Sequence, residues 1–205
     1  MMIPGFPRAS GGKSKKMDYI GSRHATDNNS KTYPGGFSAG DIALRLAWRS
    51  ADQGGYTTLY ESWGYAPGSV IRYLSLQYKI LDGSETSWTG SSAGGLLLVY
   101  RPNIPIVSVT LGKSGLFFSS ADNPLVLDKG VSEGDFMFMC GTTASYGNAN
   151  STLNPSTADF NITTSGSHYR GLMTPDKNMT KNYTENTLDT NSVAAGFVVA
   201  HITLE

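Results

Sequence analysis

The chain has 205 residues with 16 Lys+Arg against 16 Asp+Glu, a formal net charge of zero, and this balance argues against nucleic acid as the main partner, which would call for an excess of Lys and Arg. A single cysteine, Cys140, excludes an intramolecular disulfide and any zinc site built on paired cysteines. With 24 Gly and only 16% charged residues the composition is poor helix material, because Gly, Ser, Thr and Asn favour turns or compete for backbone hydrogen bonds, and it predicts an all-β chain.

Residues 1–36 read as an extended N-terminal arm. Pro4, Pro7 and Pro34, together with Gly5, Gly11, Gly12, Gly21, Gly35 and Gly36, leave room for little more than a short strand near 17–21. The apolar residues Ile3, Phe6 and Tyr19 are its candidate partner contacts. This opening does not match an export signal, and no apolar run approaches the ~20 residues of a membrane span, so the expectation is a chain made in a cytoplasm without a membrane segment.

Residues 37–205 read as one antiparallel β-sandwich of jelly-roll-like type. Over 41–48, Ile42, Leu44, Leu46 and Trp48 alternate with Ala43, Arg45 and Ala47, the period of a half-buried strand. Over 72–80 the inward set is Leu74, Leu76, Tyr78 and Ile80, with Tyr73, Ser75, Gln77 and Lys79 outward. The run 96–100 lacks alternation and predicts a strand covered on both faces. Further strands are expected at 107–111, 116–119, 135–140 and 196–204. The polar, turn-rich stretch 142–191, with a few short runs such as 160–163, is left without assigned strands.

The chain echoes itself. Ser38-Ala39-Gly40-Asp41 before one strand resembles Ser132-Glu133-Gly134-Asp135 before another, and the run from Ala93 to Tyr100 resembles the run from Ala194 to His201. Two pseudo-repeated halves, 37–102 and 131–205, would each leave an apolar face that only a second sheet can cover.

Catalytic chemistry is thin. Gly12-Lys13-Ser14 and Gly112-Lys113-Ser114 end like phosphate loops, but Pro7 and Val107 stand where the first Gly is required. His24, His168 and His201 show no ligand spacing, and alternation along the last strand gives His201 a solvated or edge role. Asp27-Asn28-Asn29 lacks the Gly and distant Glu of a calcium loop. Asp41 and Asp135 open strands as turn residues, and Cys140 reads as a buried, inert thiol. The expectation is a protein that is not an enzyme and holds no metal or cofactor. Tyr56, Tyr60, Trp63 and Tyr65 crowd a Gly-rich stretch and form a candidate glycan or partner loop, although capping of the core explains them equally simply.

One resemblance spans about 37–102. Ala39-Gly40-Asp41-Ile42, Gly55-Tyr56-Thr57, Leu76-Gln77-Tyr78-Lys79-Ile80, Ser87-Trp88-Thr89-Gly90-Ser91 and Leu98-Val99-Tyr100-Arg101-Pro102 follow one another in an order that resembles a module of tailed-bacteriophage virion proteins. Tyr56 stands where that module usually has Trp, and Pro102 replaces its Gly. The resemblance implies a non-enzymatic virion component, a capsid-decoration or tail or fibre protein, that forms a homo-oligomer and contacts other capsid or tail proteins. The alternative expectation is a carbohydrate-binding module that recognises a host surface glycan through the aromatic loop.

Overall fold

The computed structural model describes residues 14–48, 53–66, 70–90, 94–117, 125–126, 134–144, 149–154, 159–163, 167–175, 182–187 and 194–205. Within them the chain is all-β. The first half supplies β1 (Met17–Ala25), β2 (Ser30–Thr32), β3 (Ile42–Trp48), β4 (Thr57–Ala66), β5 (Val70–Ile80), β6 (Ser87–Thr89) and β7 (Gly95–Pro102). The second half supplies β8 (Ile106–Phe117), β9 (Leu125–Val126), β10 (Phe136–Ala144), β11 (Ala149–Asn154), β12 (Phe160–Thr163), β13 (Ser167–Pro175), β14 (Asn182–Thr187) and β15 (Ala194–Leu204).

Two antiparallel five-stranded sheets form a sandwich. The first has the order β1-β7-β3-β5-β4 and the second β12-β13-β10-β15-β8. Alternation decides which side chains meet between them. In β3, Ile42, Leu44 and Leu46 stand opposite Tyr100, Leu98 and Leu96 of β7, and this set faces Phe136, Phe138 and Cys140 of β10 and Val198, Ala200 and Ile202 of β15 in one core. Tyr100 and Phe138 join the sheets edge to face with ring centroids 6.2 Å apart. The Tyr100 hydroxyl continues across to donate to Asp159 Oδ2 at 3.1 Å.

Each sheet comes from one half of the chain, so the jelly-roll-like threading expected from the sequence is not the order observed. Matched in chain order, β1-β7-β3-β5-β4 and β8-β15-β10-β13-β12 are the same arrangement, and the β2–β6 pair has a counterpart in the β9–β14 pair, to which β11 is added.

The outer faces are buried as well. On the first sheet Ala43, Leu97 and Val99 pack under Trp88, Tyr33, Ala25 and Leu81, with β2 and β6 forming the cover. Arg45 shares that face and is fully buried: its Nε donates to Thr89 O at 2.8 Å, its Nη2 to Gly90 O at 3.0 Å and its Nη1 to Gln77 Oε1. A buried guanidinium is tolerable only when its fork is met by acceptors, and here the end of β6 supplies two of them. On the second sheet Met137, Met139, Val199 and His201 are all buried on the face away from the core.

These faces correct several expectations. The strand is covered on both sides over 42–47 rather than half-buried: Ala43 packs under the β2–β6 cover, Arg45 bonds Thr89 O at its end, and Ala47 is buried as well. His201 does point away from the core, yet it is 1% exposed, not solvated. Ile80, expected inward, ends β5 at 41% exposure. The strands expected at 107–111 and 116–119 are one continuous strand of 12 residues. The extended arm expected over 1–36 is, from residue 17, a structural strand: β1 pairs along β7 from Met17 opposite Pro102 to Ala25 opposite Gly95, and β2 follows it. Residues 1–13, and with them Ile3 and Phe6, lie outside the described residues.

A candidate interaction surface at one end of the sandwich

The turn before β3 is built around Gly40, whose φ of +88° belongs to the left-handed region where a Cβ is disfavoured. Its N–H donates to Leu81 O at 2.8 Å, and Leu81 N–H returns a bond to Asp41 O at 2.8 Å. This closes the ends of β3 and β5 together. Asp41, 1% exposed, accepts Ser38 N–H through Oδ2 at 2.8 Å and receives a two-pronged bond from Arg101, Nε to Oδ1 and Nη2 to Oδ2, each 2.8 Å. Arg101 Nη2 also reaches Gly36 O at 2.7 Å. Pairing with Asp41 raises the Arg101 pKa further above its ordinary value.

The pair floors an open groove of about 330 Å³ whose apolar wall is Ile80, Pro102, Ile104, Pro105 and Ile106. Beside it Val107 is 62% exposed. The pairing of β8 with β15 runs from Thr203 opposite Ser108 to Leu204 opposite Ile106, which leaves Val107 as the extra residue of a bulge on this edge strand.

Both described ends of the chain converge here. Asn103 donates its backbone N–H to Lys16 O at 3.1 Å, accepts Lys16 N–H on Oδ1 at 2.8 Å and donates from Nδ2 to Ser14 O at 2.8 Å. Lys15 Nζ crosses to the second sheet, bonding Asp135 Oδ2 at 2.9 Å and Leu204 O at 2.8 Å. Glu205 N–H donates to Pro105 O at 3.0 Å.

Of the residues singled out from sequence, Tyr19 is brought near this end: it is 37% exposed and its ring lies 5.3 Å from that of Tyr100. The aromatic loop is not a loop. Tyr60, Trp63 and Tyr65 belong to β4, Tyr60 packing on the inner core, while the side chains of Trp63 and Tyr65 lie outside the described residues. Tyr56 packs against the outer core, its hydroxyl 2.5 Å from that of Tyr33, and burial drives its pKa strongly up. Tyr56 and Tyr60 are therefore packing residues rather than an open stacking platform. Cys140 sits in the inner core, as expected of an inert thiol. Sequence reasoning did not single out Arg101, Asn103 and Lys15. The Tyr100-Arg101 pair was in view as a motif, but nothing linear tied it to Asp41.

The 82–85 turn beside β5 carries an acid-sensitive contact. Glu85 accepts Asp82 N–H at 3.1 Å and Gly83 N–H at 3.0 Å and pairs with Lys79 at 2.7 Å, its own side chain only 4% exposed. Burial pushes the Glu85 pKa up, but the Lys79 ammonium and the backbone N–H groups outweigh it and leave it lowered. A carboxyl whose folded pKa lies below its unfolded value stabilises fully above the unfolded range and loses that contribution as pH falls through the folded value. Glu85→Gln is expected to cost about 1.5–3 kcal/mol at neutral pH, as for other hydrogen bonds to a charged group, and to flatten the acid side of the stability profile, read by urea unfolding at a series of pH values. Equal losses at neutral and acid pH would contradict this.

Among the described residues no three His, Cys, Asp or Glu side chains converge as metal ligands do, and no helix is long and apolar enough to cross a membrane. Comparison of the chain with protein-family models, with curated proteins and with solved structures finds no match.

Proposed function

We propose that this chain is a non-enzymatic structural protein of a bacteriophage particle, a capsid-decoration or tail or fibre component that assembles as a homo-oligomer. The observation that carries the reading is what the resemblance residues do. Gly40 and Asp41 form the turn that Arg101 clamps, Lys79 holds Glu85, Trp88 is wholly buried and bonds Thr32 O at 3.2 Å, and Gly90 accepts from the buried Arg45. Every one serves the scaffold, which suits a module whose shape is its purpose. The matching strand order of the two sheets supports two pseudo-repeated halves. The glycan-binding alternative loses its support at Tyr56 and Tyr60, which are committed to packing.

The test is the solution mass by light scattering. The full chain is expected to be one closed oligomer, a trimer, pentamer or hexamer, and to co-sediment with phage particles from the cells that make it. A monodisperse monomer overturns the assembly reading, and absence from purified particles overturns the virion assignment. A shortened chain must begin at Ser14, since starting at Phe37 would remove β1 from the first sheet.

A further inference from the structure

We propose that Asp82-Gly83 is a latent self-modification site, at which the Gly83 nitrogen closes on the Asp82 side chain and the peptide bond migrates onto it, and that Glu85 and Ser84 hold it shut. It is the one Asp-Gly pair in a chain that has no Asn-Gly pair. The chemistry needs only water. A bond forms between Gly83 N and Asp82 Cγ, the C–OH bond of the protonated carboxyl breaks, and the amide proton leaves with that hydroxyl as water. The five-membered imide then takes water back at either carbonyl. Opening at Cγ restores Asp82, whereas opening at the backbone carbonyl leaves isoaspartate, with the main chain running through Cβ. Glycine eases the closure because no Cβ shields its nitrogen, and both residues are exposed to water. The turn cannot shed Gly83, whose φ is +90° and where a Cβ would stand 3.4 Å from Ala39 N. Protection therefore falls to the neighbours.

Closure needs Asp82 Cβ and Gly83 N on the same side of the Asp82 Cα–C bond, since both become members of one near-planar ring. Glu85 holds the opposite arrangement. Asp82 N–H donates to its Oε1 at 3.1 Å and Gly83 N–H to its Oε2 at 3.0 Å, so the two nitrogens converge on one carboxylate and the torsion between them is tied at both ends. That carboxylate is itself fixed, 4% exposed and 2.7 Å from Lys79 Nζ. Ser84 acts on the other reactant. Its hydroxyl at 2.6 Å and its N–H at 2.8 Å both donate to Asp82 Oδ1, which fixes the side chain toward Ser84 and lowers its pKa from the ordinary value. Closure consumes the protonated acid, so a carboxyl kept ionised is a poor partner. Where it does occur, isoaspartate adds one atom to the main chain next to Leu81, whose bonds to Asp41 O and Gly40 N, each 2.8 Å, close the turn under the Asp41–Arg101 pair.

The full-length protein tests this, incubated near neutral pH and read for isoaspartate at residue 82 by peptide mapping and by enzymatic methylation of the isoaspartyl carboxyl. Unfolded in urea, the chain is expected to accumulate isoaspartate at 82 roughly 10-fold or more faster than when folded, because the hydrogen bonds to charged Glu85 and Asp82 are lost. Folded Glu85→Gln is expected to gain roughly 10-fold over the folded wild type. Ser84→Ala, which leaves Glu85 and Lys79 in place, gives a smaller rise in the same direction. Gly134→Ala destabilises the other half of the chain and so separates local from global opening; its rate is expected to match that of the wild type. If the unfolded chain forms no isoaspartate at 82, or the folded wild type forms it as fast, the proposal falls. It falls as well if either turn variant is no faster than the wild type, the result expected were Glu85 to take the Gly83 proton as a base, or if Gly134→Ala rises as much as Glu85→Gln.

Discussion

Replacing Trp88 by Ala is expected to cost about 3–5 kcal/mol of unfolding free energy, the range for deleting a large aromatic from a packed core. Trp88 is fully buried, and it is the largest side chain between the outer face of the first sheet and its β2–β6 cover. Its indole also fastens the two strands of that cover, donating from Nε1 to Thr32 O at 3.2 Å across the Lys31 pairing. The loss would extend to Arg45, whose Nε and Nη2 end on Thr89 O and Gly90 O immediately after Trp88. A cavity here lets water reach a guanidinium that folding has desolvated. Trp88→Phe should recover only part of the loss, since it restores one ring and omits the second fused ring together with its donor. Urea unfolding followed by circular dichroism reads both, and a loss for Trp88→Ala below about 1 kcal/mol would show that the cover is not part of the cooperative unit.

The sandwich was legible in the sequence because strand faces follow from period-two alternation, and Ile42, Leu44, Leu46 and Leu76 of the inner core are residues that alternation selects. Burial of the outer face was legible at β7, whose unbroken apolar run predicts a strand covered on both sides, as Leu97 and Val99 are, but not on its neighbours. Ala43, Arg45, Ser75 and Gln77 look like a solvent face, and only the distant β2–β6 pair, whose six residues carry no strong periodic signal, turns it into an interior. Strand β1 was legible only in its first half, as the short strand expected near 17–21; its extension to Ala25 comes from pairing with the apolar β7 rather than from its own pattern.

The likeness of 93–100 to 194–201 in sequence is out of step with the strand ladders by one residue. Sequence similarity sets Tyr100 against His201, whereas the ladders place Tyr100 opposite Ile42 and Ile202 opposite Phe136, so that Tyr100 and Ile202 are the corresponding core positions. In a strand such a slip exchanges the two faces, which is why His201 could not be placed by its likeness to Tyr100. The candidate surface was less legible still, because it joins the loop after β7 to the segment before β1 and the ends of β3, β5 and β15, which are remote along the chain.

The two Gly-Asp turns provide the other large effect, because the same dipeptide meets different constraints. Gly40 has φ +88° with open space where a Cβ would stand, so Gly40→Ala is expected to cost only the left-handed strain, about 1 kcal/mol. At Gly134 an added Cβ would lie 2.7 Å from Ile202 O and 2.9 Å from Ile202 C and N, all backbone atoms of β15. No rotamer change relieves that contact; β10 and β15 must move apart where Asp135 N–H donates to Ile202 O at 2.9 Å and Asp135 Oδ2 accepts from Leu204 at 2.8 Å. The cost of Gly134→Ala is expected to be about 3 kcal/mol, the upper end of overpacking, with loss of amide protection concentrated at 134–137 and 200–204. Thermal unfolding and hydrogen exchange of both variants check the pair. Equal losses would mean that the second turn relaxes as freely as the first, and that the close approach of β10 and β15 is not what requires Gly at 134.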